Sequence, residues 1–228
     1  MKKALSLILV AVLMSVLCIP ASAAMTEQNV AINKSYTTAG IYADQSGNIP
    51  YPDEEGKTLT DGQYASGGYS DALWVGFNIG APDIASADPK VGSVVVDLGE
   101  SFDITGISGH FSAGAADAGI APPSKVTFYA SNDGTEWTLI GEGVKEEIAD
   151  GDLTLNIGID EVEATGRYFK MEIEFATNWA FVSEFEVFAM AEESETETPS
   201  TGDGAVIFAI VALLACAGAA VVVKAAKR

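Results

Sequence analysis

Cysteine is nearly absent. The 228-residue chain carries two, Cys18 and Cys216, and both lie in apolar terminal runs. The region between them therefore forms no internal disulfide, thiolate metal site or thiol nucleophile. Histidine occurs once, at His110, which rules out a His-rich metal cluster and leaves a Ser-His-Asp arrangement a single imidazole. Basic residues are scarce as well: 12 Lys and Arg stand against 32 Asp and Glu. From Ala24 to Thr201 the imbalance sharpens to 7 basic against 31 acidic residues, a net charge of −24. Such a field repels phosphate backbones and anionic headgroups, so nucleic acid is not an expected partner. There is no Gly-x-Ser-x-Gly elbow, phosphate loop or dinucleotide fingerprint, and no motif singles out a pair among the many carboxylates. An enzyme is not expected.

What is present divides into three parts. Met1-Lys2-Lys3, an apolar run from Ala4 to Ile19 and Ala21-Ser22-Ala23 form a basic, hydrophobic and small-residue series, the pattern of a signal peptide over 1–23. At the other end, an acidic Thr-rich linker over 191–204 contains Thr198-Pro199-Ser200-Thr201-Gly202. An uncharged run over 205–223 follows, then Lys224, Lys227 and Arg228. At ~1.5 Å per residue the run reaches roughly 28 Å, close to the hydrocarbon thickness, so a transmembrane helix is expected over 205–223. The basic tail 224–228 stays cytoplasmic by the positive-inside rule.

The pentapeptide, span and basic tail together resemble the Gram-positive cell-wall sorting signal, LPXTG, with Thr198 standing where that family usually has Leu. The resemblance implies cleavage by a sortase between Thr201 and Gly202 and attachment to peptidoglycan. It places the domain on the extracellular face, anchored to cell wall or membrane.

The middle, 24–190, keeps a two-residue apolar period. Phe169, Met171, Ile173 and Phe175 share one face of a segment whose other face carries Lys170, Glu172 and Glu174. Val126, Phe128 and Ala130 repeat the pattern, as do Leu153, Leu155, Ile157 and Ile159. Ser93 to Leu98, Ile104 to Phe111 and Phe181 to Ala189 complete the set, separated by turns such as Asn132-Asp133-Gly134 and Asp150-Gly151-Asp152. Many short half-buried strands predict an all-β antiparallel sandwich, a jelly roll. From Asn29 to about Glu54 we expect a first strand near Val30–Ile32 and then long loops, where binding residues gather.

Several fragments resemble the coagulation factor 5/8 type C (discoidin) domain, whose relatives include family 32 carbohydrate-binding modules. They are Asn29-Val30-Ala31, Leu59-Thr60-Asp61-Gly62, Val94-Val95-Val96-Asp97-Leu98-Gly99, Phe128-Tyr129-Ala130-Ser131-Asn132-Asp133-Gly134 with Trp137, Arg167-Tyr168-Phe169-Lys170, and Ser183-Glu184-Phe185-Glu186-Val187-Phe188. They occur in the family order over 29–190. The resemblance implies a galactose-binding-like jelly roll with a structural Ca2+ and a ligand site built by loops at one end. Asp61, after a strand-like Thr58-Leu59-Thr60, matches the family's calcium-loop aspartate, and Glu184 matches the acid that closes the site. Calcium takes six to eight oxygens, so carbonyls near Leu59 and Ser66 are further candidates.

Saccharide sites stack aromatic faces on sugar C–H groups and fix hydroxyls with polar side chains. Trp179 and Asn178, between the last two strands, are the first candidates. Trp74 is either core or pocket, and Tyr64 and Tyr69 are loop aromatics. His110 is either a strand-end residue bonded to backbone or a sugar contact. The expected function is a cell-surface carbohydrate-binding, lectin-like module that attaches to glycans. The alternative is a surface adhesin or assembly subunit gripping a protein partner through the same loops.

Overall fold

A computed structural model describes residues 25–192. The signal peptide, the sorting motif, the transmembrane run and the basic tail lie outside the described residues. Among those described, no helix is long and apolar enough to cross a membrane.

Nine strands form one curled antiparallel sheet: β1 (Met25–Asn29), β2 (Ser35–Ala39), β3 (Val75–Asn78), β4 (Val91–Ser112), β5 (Lys125–Ser131), β6 (Thr138–Glu142), β7 (Val144–Lys145), β8 (Thr154–Glu174) and β9 (Trp179–Glu192). Two long strands make the curl. The first half of β4 pairs with β2 and with the second half of β8, which carries β5 and then β6. The second half of β4 pairs with the first half of β8 and with β9, which carries β1 and β3. Register shifts between Asp97 and Phe102 and between Ile104 and Gly106 mark the bend. Glu161 on β8 takes a positive φ of 56° there, a conformation found where a bulged strand turns.

The two halves face each other across the core. Phe128 on β5 stacks on Phe185 of β9 with ring centroids 6.2 Å apart. A Cβ added at Gly109 would lie 2.6 Å from the Met171 sulfur, so β4 and β8 meet there without room for a side chain. The alternating residues supply this interior: Val94, Val96, Leu98, Val126, Phe128, Phe169, Met171 and Ile173 are all fully buried. Each such aliphatic or aromatic side chain contributes roughly 1.5–3 kcal/mol of transfer free energy.

Four local expectations are corrected. Val30–Ile32 is a turn, and the first strand is Met25–Asn29. The Asn29 carboxamide explains the stop, because its Oδ1 accepts the Ala31 and Val187 N–H groups at 3.0 and 3.2 Å in place of a ladder partner. The stretch read as loops after Asn29 contains β2, whose polar sequence Ser-Tyr-Thr-Thr-Ala shows no apolar alternation. Thr58-Leu59-Thr60 is a 3-10 turn, with the Thr60 N–H on the Lys57 carbonyl and the Asp53 carboxylate accepting the Thr58 N–H at 3.2 Å. The last strand runs through Glu192, two residues into the expected linker.

Candidate functional site

On β9, Ser183 to Val187 alternate so that Glu184 and Glu186 share a face. A loop from Asp61 to Trp74 passes over that face. Glu184 is fully buried, and its Oε1 accepts the Gly62 and Gln63 N–H groups at 2.8 and 3.1 Å. The turn is possible because Gly62 adopts a φ of +78°. Glu184 Oε2 is buried with no hydrogen-bond partner. Burial first, and then the adjacent Asp61 carboxyl, push the Glu184 carboxyl up to about 8. An orphaned carboxylate oxygen beside a second acid fits a hard cation, which would neutralise both. Among the described residues no group of three or more His, Cys, Asp or Glu is gathered to hold a metal, so such an ion would complete its shell with carbonyls and water. Leu59 is fully buried just before Asp61. Ser66 is exposed, and its N–H donates to Asp71 at 3.2 Å.

The same loop brings three sequence candidates together. Trp74 stacks on His110 with centroids 5.8 Å apart and planes within 7°. Tyr64 meets His110 edge-on at 5.3 Å. Trp74 is 1% exposed and its indole N–H donates to the Gly68 carbonyl at 3.2 Å, which fastens the loop on itself. His110 is buried, and its Nδ1 lies 2.6 Å from the Ser183 hydroxyl. Burial holds the imidazole below its ordinary range. Tyr64 stays exposed along one side, while its hydroxyl donates a hydrogen bond to Glu186 Oε1. Tyr69 is exposed on the same loop.

Trp179 and Asn178 lie elsewhere, where β9 begins. Trp179 is half-buried, and three rings meet it edge-on: Tyr42 at 5.3 Å, Tyr51 at 5.5 Å and Phe181 at 5.8 Å. The Trp179 N–H donates to the Gly119 carbonyl at 3.1 Å, and the Asn178 carbonyl accepts the Ile79 N–H at 3.1 Å. Asn178 itself is exposed. A Cβ at Gly76 would come within 2.8 Å of Tyr51 and 3.0 Å of the Trp179 ring, so a glycine is needed beneath the cluster. Phe181 joins the two aromatic groups, since it also packs on Trp74 at 6.4 Å. Trp137 sits half-buried just before β6 with the Lys170 amine 4.9 Å from its ring.

The residues that sequence reasoning missed are Tyr42, Tyr51, Ser183 and Glu186. Glu186 carried a signal, because it stands two positions after Glu184 on an alternating strand. The two tyrosines lie in a stretch with no period, and only the fold places them beside Trp179.

No family profile and no curated protein matches the chain. Among solved structures, it is similar to chitosan-binding module 1 of a chitosanase/glucanase from Paenibacillus sp. IK-5, at 20% identity over 70% of this chain and 98% of that one, with a TM-score of 0.44. It is also similar to a Clostridium perfringens module solved in complex with GalNAc-β-1,3-galactose, at 16% identity over 72% of this chain and 100% of that one (TM-score 0.44). A Streptococcus pneumoniae fucose binding module is similar at 14% identity over 72% of this chain and 96% of that one (TM-score 0.47).

Proposed function

We propose that this domain is a non-catalytic glycan-binding module of the discoidin, galactose-binding-like kind. The observation that carries the reading is the setting of Trp179. Its ring is held edge-on by Tyr42, Tyr51 and Phe181 yet stays partly open to solvent, beside the exposed Asn178 amide. A sugar gains from an aromatic face that is already immobilised, and from a neighbouring amide that both donates and accepts. Trp74 and His110 play a different part: with so little exposed surface they brace the loop and offer no face to a ligand.

The Asp61–Glu184 clasp is the proposed home of a structural Ca2+, with Asp61 and Glu184 supplying carboxylate oxygens. The ion would fix the loop that carries Tyr64 and Tyr69. A hydrolytic reading is disfavoured by the same geometry, because Glu184, whose carboxyl is held high, is sealed from any substrate. The signals read in the two terminal sequences support display outside the cell, tethered by the C-terminus through sortase and peptidoglycan or through the membrane.

The test is an array of immobilised glycans probed with the full-length chain. Binding that free sugar competes supports the reading. Capture of a protein ligand that no sugar displaces, with no glycan bound, would replace it with the adhesin alternative.

A further inference from the structure

Glu184 stands on a strand, but Asp61 does not. Asp61 follows the 3-10 turn Thr58–Thr60, and a second short turn, Glu54–Gly56, precedes that one. Neither turn is paired in the sheet, so other bonds must fix where Asp61 stands against Glu184. Metal affinity depends on such placement. Groups that touch only the residues around an ion typically change its affinity by roughly 10–100-fold.

Tyr36 on β2 reaches the turn from a rigid base. Its backbone pairs with Val96 of β4, and its ring packs against the core. The hydroxyl donates to Asp53 Oδ1 at 2.7 Å and accepts the Leu59 N–H at 3.0 Å. The same Asp53 oxygen accepts the Thr58 N–H at 3.2 Å. One phenol and one carboxylate thus satisfy two consecutive amides at the start of the turn, where a helical turn has no partners of its own. Thr58 and Leu59 are buried, so an N–H left without an acceptor there is costly. Thr58 Oγ1 also accepts the Glu54 N–H at 3.1 Å, which ties the two turns together. The other end of the turn is fastened to the chain before β2. The Thr60 hydroxyl donates to the Lys34 carbonyl at 2.9 Å, and the Thr60 carbonyl accepts the Asn33 N–H at 2.7 Å. Asp61 alone then separates this turn from Gly62, whose N–H meets Glu184.

We propose that Tyr36 and Asp53 are positioning residues for the cation clasp. Neither gives the ion an oxygen. They hold the Thr58–Thr60 turn so that Asp61 presents its carboxylate to the buried Glu184, and this assignment rests on the calcium reading of that clasp. What Asp53 contributes is an acceptor oxygen at a fixed point. A general electrostatic pull on the cation would instead need its charge, and the two roles separate by experiment.

The experiment is calcium titration calorimetry of the full-length chain in detergent, with melting temperatures and amide exchange measured in chelator. Tyr36→Phe keeps the ring and drops the hydroxyl, and it should weaken calcium binding at least tenfold. Asp53→Ala should do the same. Asp53→Asn retains an acceptor for both donors and should stay within threefold of the parent. Val126→Ala, a buried change on β5, should lower the melting temperature yet leave calcium affinity within twofold. Without calcium, the Leu59 and Gly62 amides should exchange at least tenfold faster in Tyr36→Phe and within threefold of the parent rate in Asp53→Asn. Unchanged calcium affinity in Tyr36→Phe overturns the proposal and leaves the clasp standing. So does an equal loss in Asp53→Asn, which would assign the effect to charge, or in Val126→Ala, which would assign it to stability. A parent chain that binds no calcium overturns the proposal and the clasp together.

Discussion

Glu184 Oε1 accepts the Gly62 backbone N–H at 2.8 Å, across 122 positions of chain. This one bond pins a loop to the face of the last strand, and it does so with a carboxyl sealed from water. The consequence is a pH dependence of known sign. The folded carboxyl titrates near 8 against an ordinary 4.5, so between those values the folded state keeps a proton that the unfolded state releases. In the presence of chelator, stability should therefore fall as pH rises from about 5 to 8, by at most about 1.4 kcal/mol per pH unit. Urea midpoints across that range measure it, and Glu184→Gln should flatten this part of the profile. Identical slopes in the two proteins would contradict the assignment.

Calcium should reverse that loss. An ion bound only by the folded state adds about 2.7 kcal/mol at a hundred times its dissociation constant. Thermal melts with calcium and with chelator should separate at about pH 7.5, and Asp61→Ala should bring them together. Equal melting temperatures in the parent chain would leave the clasp without an ion.

The core makes a prediction that is independent of any ligand. Phe185 is fully buried and stacks on Phe128 between the two halves of the curled sheet. Phe185→Ala should cost about 3–5 kcal/mol in equilibrium unfolding, since the facing strands cannot collapse onto the space. A cost under about 1 kcal/mol would mean that the halves do not meet there.

Gly76 lies under the aromatic cluster at the start of β9. In Gly76→Ala the new methyl would press on Tyr51 and Trp179, whose atoms would stand 2.8 and 3.0 Å from it. Overpacking of this kind costs typically about 1–3 kcal/mol. Because the ring most easily displaced is the partly exposed Trp179, glycan affinity should fall at least threefold, as read by calorimetry. Unchanged affinity would detach the cluster from binding.

The sequence was most legible where burial is one-sided. Val94, Val96 and Leu98, or Phe169, Met171 and Ile173, announce strands because water lies on one face and the core on the other. β1 and β2 have no such contrast: Met-Thr-Glu-Gln-Asn and Ser-Tyr-Thr-Thr-Ala are edge segments fixed by pairing with β9 and β4. Nor could alternation reveal that 93–98 and 104–111 belong to one bent strand, since the bend depends on bulged registers with distant partners. The pairing of Asp61 with Glu184 followed from a family resemblance alone. Tyr42 and Tyr51 beside Trp179 carried no local sign.

The most direct test of the account is the affinity of Trp179→Ala, compared with the parent chain by titration calorimetry against the best neutral glycan found on an array, with circular dichroism to verify the fold. The account predicts at least a tenfold loss with the strand spectrum retained. An affinity within twofold of the parent would contradict it.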